Sequence, residues 1–402
     1  MNYENKISKR LGGKDFFQTS YYKFEKFSQI KKQYLKNAPY PLLDFGIGES
    51  DQMPPQSVID ELVKQAYVYE NRVYADNGID AFKEAAKKHL QEIYHIDCEK
   101  RQLEINHVIG AKSALCIIPF AFISDDDYVI CTTPGYQVLP TMAKWLKGKI
   151  YEVPLLEEKQ YLPDLETIPE EVYQNTKIFL VNYPNSPTGA IATKEFYTQL
   201  IKKAKQYDFL IVNDCVYGPL TYHDEPLSIF LIPDSEKYCI EVHSLSKAFS
   251  MTGFRIGFMV SNPQLMHILK EVKDNMDSGQ YIPIQYAAMK AFETEKETLP
   301  QLKELYNQRL TKVASILNKH HLHCHVPKAT FYLYVKVPSC FKSAEEFTLY
   351  LLYQAGIYTI PWDEAEPAVR FAMTYHVFSD EDEFLKELDR RLSTLSFFEK
   401  KE

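Results

Sequence analysis

The sequence lacks the features that mark secreted, membrane-spanning and disulfide-linked proteins. Its longest apolar run, residues 114–123, is too short to cross a bilayer, and the first ten residues contain no apolar core of the kind that a secretory signal needs. The seven cysteines are scattered and form no CxxC pair, so we expect reduced thiols that pack in the interior rather than disulfides. We therefore predict a cytoplasmic protein.

The sequence also lacks an excess of positive charge. Lysine and arginine together number 46 against 54 acidic residues, which gives a net charge of -8. This balance argues against nucleic acid and anionic membranes as partners and leaves small molecules as the expected class. The chain has no repeat and no low-complexity tract, and its 402 residues, 45% of them hydrophobic, suffice for a full core that divides into two parts.

Short runs rich in β-branched and aromatic residues alternate with helical patterns between residues 100 and 261. This alternation predicts an α/β fold in which a mostly parallel sheet has helices on both faces. Residues 298–320 place leucines at helical spacing and predict a long amphipathic helix that leaves the sheet. A strand at 331–337, a helix at 343–356 and a strand at 368–375 then predict a second, smaller α+β unit.

The strongest local motif is SLSKAFSMTGFRIGF, residues 244–258. Ser244, Ser246 and Arg255 could bind a phosphate. Lys247, desolvated beside that arginine, would have a lowered pKa suited to Schiff-base chemistry. Taken alone, such a motif more often belongs to a surface loop that carries an ordinary lysine.

The motif resembles the SxSKxxxxxGxRxG signature of the class I/II, fold-type I aminotransferases that depend on pyridoxal 5'-phosphate, and the resemblance extends over nearly the whole chain. It implies a large domain at residues 51–296, with a mostly parallel seven-stranded sheet between helices. Residues 1–50 would belong to a smaller α+β domain, and residues 297–402 would form the linking helix and the rest of that domain. The resemblance further implies a homodimer with active sites shared across the interface.

The resemblance assigns three residues to catalysis at the cofactor. Lys247 would form the Schiff base and transfer protons, Asp214 would pair with the pyridine nitrogen, and Tyr217 would hydrogen-bond the ring 3-oxygen. The other implied cofactor residues are Gly110, Ala111, Lys112, Ser244, Ser246 and Arg255 at the phosphate, Tyr136 stacked on the ring, and Tyr74 at the phosphate of the neighbouring subunit. Asp214 could instead cap a helix, and Tyr136 could simply pack.

The segment NYPNSPTGA, residues 182–190, resembles the family's NPxNPTG loop but departs from it at one position. The asparagine that usually precedes P-T-G is Ser186 here, and Asn185 stands one place earlier. Either Asn185 reaches the ring oxygen after a small shift of the loop, or Ser186 replaces it with a shorter donor.

The substrate residues also follow from the resemblance. Arg370, in AVRFAMTY, would form a bidentate contact with the α-carboxylate of the amino acid, although a single arginine on a strand is often only a surface ion pair. Gly48 would offer a backbone N–H to the same carboxylate. Tyr21 would close over the substrate as in LL-diaminopimelate aminotransferases, which the chain resembles most in layout.

We therefore expect an aminotransferase that moves an amino group from LL-diaminopimelate, an intermediate of lysine biosynthesis, to a 2-oxo acid such as 2-oxoglutarate by a ping-pong mechanism. One alternative is a broad-range aspartate, alanine or aromatic aminotransferase, in which Arg72 would serve a distal carboxylate. Another is a C–S lyase similar to cystathionine β-lyase, which shares the lysine motif.

Two further interpretations are weaker. A non-catalytic ligand-binding module is disfavoured because no basic helix-turn-helix segment precedes residue 40. The segment HHLHCH, residues 320–325, could bind zinc but lacks a standard finger spacing. We predict no metal and expect these histidines to cap the long helix.

Overall fold

A computed structural model describes residues 3–16, 22–377 and 380–395 of the protein. Its twelve strands form one seven-stranded sheet and two smaller sheets. The strands are β1 (Leu43–Asp44), β2 (Glu104–Val108), β3 (Tyr128–Thr133), β4 (Lys149–Pro154), β5 (Thr176–Val181), β6 (Leu210–Asp214), β7 (Cys239–Ser244), β8 (Gly257–Ser261), β9 (Tyr332–Lys336), β10 (Ile357–Tyr358), β11 (Ile360–Trp362) and β12 (Ala368–Ala372). The helices are α1 (Lys23–Lys36), α2 (Gln56–Ala66), α3 (Asp80–Tyr94), α4 (Ala111–Phe122), α5 (Val138–Trp145), α6 (Glu170–Asn175), α7 (Lys194–Tyr207), α8 (Pro263–Asp274), α9 (Ile282–Lys319), α10 (Ala344–Ala355) and α11 (Glu381–Leu392).

The large sheet has the strand order β2-β8-β7-β6-β5-β3-β4. All neighbours are parallel except β8, which runs antiparallel to both β2 and β7. Strand β5 shows why its sequence reads as a continuous apolar run: Phe179 and Val181 enter one core, while Ile178 and Leu180 enter the other. Because alternate side chains point to opposite faces, a strand with helices on both sides needs apolar residues at every position. The predicted α/β class and mostly parallel sheet are confirmed.

Two smaller sheets lie beside the large one. Strands β11, β12 and β9 form an antiparallel sheet in that order, and β1 pairs in parallel with β10. Helices α1 and α10 cover them through a small core that includes Phe27, Leu352 and Ile360. The N-terminal segment is thus joined to the C-terminal region through strand pairing. The domain limits at residues 51 and 297 stay a prediction.

The long helix α9 begins at Ile282, well before the stretch that its leucine spacing predicts. Its first half packs against α2 and α3, whereas its second half packs against α11. The buried face of the first half mixes small, polar and aromatic residues such as Ala287, Gln285 and Phe292. Because large apolar residues do not recur at helical spacing on this face, their periodicity predicts only the second half of α9.

Two findings on the described residues concern membrane-spanning helices and disulfides. None of their helices combines the length and apolarity required to cross a bilayer. All seven cysteines fall within the described ranges and are free thiols there.

Candidate active site

A cavity of about 540 Å³ lies between the large sheet and the small three-stranded sheet. Strands β6 and β7 end at it, which is the edge where open α/β sheets place their ligands. Most of the predicted site residues line this cavity: Gly48, Ala111, Lys112, Tyr136, Ser186, Asp214, Tyr217, Ser244, Ser246, Lys247, Arg255 and Arg370. The fold therefore brings together residues that are more than three hundred positions apart in the chain.

Lys247 stands in the loop that follows β7. Its Nζ donates a hydrogen bond to the carbonyl of Gly48. Burial lowers the pKa of Lys247, and the nearby charge of Arg370 lowers it further. A lysine with a lowered pKa carries a larger fraction of neutral amine, which is the form that acts as a nucleophile or base.

Asp214 is the last residue of β6 and lies at the floor of the cavity. Burial raises its pKa to about 7, while the charge of Lys247 acts in the opposite direction. Its Oδ1 is buried and has no hydrogen-bond partner within the described part of the chain. A buried acceptor without a donor is unfavourable, so this atom fits a donor supplied by a ligand, such as a protonated ring nitrogen.

The residues predicted to bind a phosphate meet where β2 leads into α4. Gly110 has φ +73°, and a Cβ there would come within 2.5 Å of Arg255 Nη2, so only glycine permits this approach. Arg255 Nη1 donates to Ser246 Oγ at 3.3 Å and to the Thr252 carbonyl at 2.8 Å. The guanidinium thus stands at the N-terminus of α4, beside the two serines of the lysine motif. Free helix amides, hydroxyls and a guanidinium are together a suitable site for a phosphate.

Tyr217 is buried in the cavity wall and contacts a residue that the sequence does not single out. Its hydroxyl oxygen is 2.8 Å from that of Tyr332 on β9. Ser186 also lies within hydrogen-bond reach of the Tyr217 hydroxyl. Burial and the neighbouring Tyr332 hold the pKa of Tyr217 well above its usual range.

The structure distinguishes between the two candidates in the 182–190 loop. Ser186 lines the cavity, but Asn185 does not, because its side chain is fully buried within the turn. Asn185 Oδ1 accepts hydrogen bonds from the N–H of Thr188 at 3.2 Å and from its hydroxyl at 2.7 Å. The suggestion that Asn185 reaches the ring oxygen is therefore not supported. Asn182, which the sequence analysis missed, lines the cavity instead and donates to the Asp214 carbonyl at 2.7 Å.

Arg370 on β12 is only 3% exposed, yet it has no carboxylate partner among the described residues. Its Nη2 donates to the carbonyl of Gly46 at 3.1 Å, and its Nε has no partner. The guanidinium lies 4.3 Å from the ring centre of Tyr332. A Cβ at Gly48 would be 2.8 Å from the Tyr332 hydroxyl and 3.0 Å from Arg370 Nη2, so glycine is required beside it. A buried guanidinium with free donors in a cavity fits a carboxylate ligand.

Comparison with known proteins agrees with this geometry. Residues 40–381 match the family model described as aminotransferase class I and II. The chain belongs to this family. The aminotransferase is 40% identical to the LL-diaminopimelate aminotransferase of Methanocaldococcus jannaschii over 97% of both chains. It is 39% identical to that of Methanococcus maripaludis over 98% of both.

Solved structures confirm the fold. The aminotransferase superposes on the apo-BacF structure from Bacillus subtilis with a TM-score of 0.88 and 26% identity, over 96% of this chain and 98% of that one. The family depends in general on pyridoxal phosphate. The family, the fold and the aminotransferase class that we predict from the sequence are thereby confirmed.

Besides Gly110 and Asn185, two predicted residues of the aminotransferase, Tyr74 and Arg72, do not line this cavity. Tyr74 is 83% exposed, and its predicted contact is with a second subunit, so its role stays a prediction. Arg72 stacks on the ring of Tyr69 with 3.7 Å between guanidinium carbon and ring centre, away from the cavity. Tyr21 lies outside the described residues.

In the described structure, the His and Cys side chains of residues 320–325 do not form a cluster that could bind a metal ion. His320 Nε2 is 2.6 Å from Asp389 Oδ1, so its ring is already paired. Within the described ranges, the side chains that could hold a metal meet only at Cys215, Glu241 and His243. The Glu241 carboxylate there is occupied by hydrogen bonds within the core, and we attach no metal to it.

Proposed function

We propose that this aminotransferase binds pyridoxal 5'-phosphate in the 540 Å³ cavity and transfers an amino group from LL-diaminopimelate to a 2-oxo acid such as 2-oxoglutarate. One observation carries the proposal. Lys247, with its lowered pKa, shares a cavity with a buried carboxylate oxygen that lacks a donor, on Asp214, and a buried guanidinium that lacks a carboxylate, on Arg370. We keep the cytoplasm as the proposed location.

The residues of the cavity fit the cofactor. Asp214 would accept a hydrogen bond from the pyridine nitrogen and keep it protonated, and in that state the cofactor withdraws electrons from the substrate Cα. Tyr217 and Ser186 would face the ring oxygen. The phosphate would lie among the α4 amides, Ser244, Ser246 and Arg255, Tyr136 would stack on the ring, and Tyr74 of a second copy would complete the site in a homodimer.

The protein's own groups account for the steps at the substrate. Arg370 holds the α-carboxylate through two parallel N–H donors, which fixes the direction in which the Cα hydrogen points. Lys247, as a neutral amine, takes the proton from the substrate Cα and passes it on within the cavity. The aromatic rings of Tyr217, Tyr332 and Phe24 wall this region and exclude water from the reacting atoms.

The charges at the mouth of the cavity support LL-diaminopimelate as the donor. This molecule carries a second carboxylate and a second ammonium group at its distal end. Lys112, whose backbone N–H would serve the phosphate, also lines the cavity with its side chain. Its Nζ lies 5.1 Å from the ring centre of Tyr22 and has no ion pair among the described side chains. Glu49 lines the same cavity and is exposed. The two side chains offer a cation and an anion to the distal end, which aspartate, alanine and phenylalanine would use only in part or not at all.

Absorbance spectroscopy with added pyridoxal phosphate tests this function. We expect the wild type to show a visible cofactor band that LL-diaminopimelate converts, and Lys247→Ala to lack it. The surface variant Lys270→Ala serves as the control and should behave like the wild type. A wild type without a band would refute the cofactor site.

Steady-state assays then test the donor. We expect turnover of LL-diaminopimelate with 2-oxoglutarate and a selective loss of that turnover in Glu49→Gln. Ready turnover of alanine, aspartate or phenylalanine with none of LL-diaminopimelate would exclude the proposed donor. Release of pyruvate from cystathionine without a 2-oxo acid would indicate a C–S lyase.

A further inference from the structure

Arg255, the arginine at the proposed phosphate site, has a backbone conformation that residues other than glycine rarely adopt. Its φ is +56° and its ψ is +51°, which lie in the left-handed region. In this region the Cβ of an L-residue lies too close to the following carbonyl oxygen. The conformation therefore persists only where the contacts around it hold the backbone in place.

This backbone conformation determines where the Arg255 guanidinium lies. The residue follows a short 3₁₀ turn, Thr252–Phe254, and precedes Ile256, whose carbonyl accepts a hydrogen bond from the Leu245 N–H at 3.2 Å. Because the chain is held on both sides, a change of φ to a negative value would carry the side chain away from Gly110 at the start of α4. The phosphate site thus depends on the backbone of Arg255 as well as on its charge.

The side-chain amide of Gln280 binds this backbone. Its Nε2 donates to the carbonyl of Phe254 at 2.6 Å and to the carbonyl of Arg255 at 2.8 Å. Gln280 is only 8% exposed, so loss of these bonds would leave buried carbonyls without a donor. Two consecutive carbonyls that bind one amino group must both face the same side of the chain. Gln280 therefore stabilises the left-handed turn at Arg255.

The orientation of the Gln280 amide follows from its partners. Because both carbonyls only accept hydrogen bonds, the atom that faces them must be the amino group. The amide oxygen then faces His107, whose Nε2 is 2.8 Å away. Burial lowers the pKa of His107 to about 4, so at neutral pH its ring has one N–H. The bond to the Gln280 oxygen places that proton on Nε2.

Gln280 is itself attached to two helices of the fold. Its carbonyl accepts a hydrogen bond at 3.0 Å from Nε2 of Gln285, in the first turn of α9. The Oε1 of Gln285 in turn accepts from the N–H of Ile79, immediately before α3, at 2.8 Å. Gln285 and His107 are both fully buried. A chain of buried amide groups therefore connects the starts of two helices to the backbone of Arg255.

We propose that Gln280 is a positioning residue for the phosphate of the cofactor and acts through Arg255. The inference rests on the proposed function, because that function places the phosphate beside Arg255. Gln280 does not line the cavity, so it has no direct contact with a ligand there. Its effect on cofactor binding should therefore disappear when either the guanidinium or the phosphate is absent.

The test compares two ligands that differ in the phosphate group. The cofactor-free protein is titrated with pyridoxal 5'-phosphate and with pyridoxal, and binding is followed by the absorbance of the ligand. Methionine has nearly the length of glutamine but offers no donor to the two carbonyls. In Gln280→Met we expect the affinity for pyridoxal phosphate to fall about 5- to 50-fold. The affinity for pyridoxal should change by less than about 2-fold.

Asn262→Leu is the matched control. The side-chain amide of Asn262 also donates to a backbone carbonyl, that of Glu236 at 2.8 Å, and it caps α8. Asn262 follows the far end of β8 and does not line the cavity. This variant should lose stability but bind both ligands like the wild type. The comparison separates the loss of an amide hydrogen bond from the loss of the phosphate site.

A double variant tests whether the effect passes through Arg255. When Gln280→Met is added to Arg255→Ala, the affinity for pyridoxal phosphate should fall by less than about 2-fold further. If Gln280→Met does not fold, Gln280→Asn takes its place. Its side chain is too short to reach both carbonyls and should weaken the binding of the same ligand alone.

Two results would overturn the inference. The first is an unchanged affinity of Gln280→Met for pyridoxal phosphate. The second is an equal loss of affinity for both ligands, which would show a general structural role for Gln280. A wild type that binds neither ligand would instead show that the proposed function itself fails.

Discussion

Two buried arginines of this protein are almost equally hidden from solvent but have opposite surroundings. Arg309 on α9 is 6% exposed. Its Nη1 donates to Asp51 Oδ2 at 2.9 Å and to the Met373 carbonyl at 2.9 Å, and its Nε donates to Glu381 Oε1 at 2.7 Å. The chain thus supplies two carboxylates to offset the burial of this charge.

Arg370, in contrast, contacts the Gly46 carbonyl and the face of Tyr332 but no carboxylate in the described structure. Burial of an unpaired cation is unfavourable by several kcal/mol. The paired arginine, Arg309, stabilises the fold, whereas the unpaired arginine, Arg370, is available to bind a ligand. The missing partner, rather than burial, therefore identifies the ligand site.

We expect the largest effect, on the free energy of unfolding, from Arg309→Leu. Removing this guanidinium leaves Asp51 and Glu381 buried or half-buried without their cation, which should lower the free energy of unfolding by about 3 to 5 kcal/mol. Chemical denaturation at a fixed protein concentration measures this, with Arg370→Leu as the matched control. If Arg370→Leu of the cofactor-free protein proves equally destabilised, the distinction between the two arginines is wrong.

A smaller effect, on activity rather than stability, is expected from Arg370→Lys. Lysine keeps the charge but loses the paired donors, so kcat/KM for the amino donor should fall about 30- to 1,000-fold, or ~2 to 4 kcal/mol. The loss should lie mainly in KM, while the unfolding midpoint stays close to that of the wild type. Steady-state kinetics that show an unchanged KM would place the substrate carboxylate elsewhere.

The smallest effect concerns Asp214, whose carboxylate has one buried oxygen without a hydrogen-bond donor among the described residues. Its folded pKa of about 7 lies above the ordinary value of 3.8, so the stability that its proton contributes is complete below pH 3.8 and is lost as the pH rises through about 7. Cofactor-free Asp214→Asn should therefore melt a few degrees above the wild type at pH 8.5. The gap should close towards pH 4, as scanning fluorimetry would show.

Addition of pyridoxal phosphate provides the control for this prediction. The wild type should gain stability from the cofactor, since the ring nitrogen supplies the donor that Asp214 lacks. The variant should gain less. Equal melting temperatures of the two cofactor-free proteins at pH 8.5 would contradict the raised pKa of Asp214.

The wall of the cavity that comes from the large sheet can be predicted from the sequence. Asp214 ends one short strand and Lys247 follows the next, and parallel strands bring such positions to one edge. Arg370 is also predictable, but only by its resemblance to a family motif, because a single arginine on a strand has no local signal of function.

The position of Tyr332 in the cavity wall cannot be predicted from the sequence, because it depends on how the strands of the small sheet pair. On the small sheet, Arg370 pairs with Tyr334 and Ala372 pairs with Tyr332, which places Tyr332 diagonally next to Arg370 on one face. No local pattern in the strand sequence reveals that register. The position of Asn185 outside the cavity has a related cause: its side chain is hydrogen-bonded to Thr188, and the sequence motif does not show that local contact.

The pairing of Leu43 with Ile357 has a consequence for synthesis of the chain on the ribosome. About 300 residues separate the two partners, so at typical translation rates the N-terminal strand waits roughly 15 to 60 s for its neighbour to be made. Phe45 is completely buried in the finished protein. During that time the C-terminal residues that bury it have not yet been made. The segment that carries Gly48 therefore joins the cavity late, and a nascent chain released before residue 370 lacks the wall that holds the substrate carboxylate.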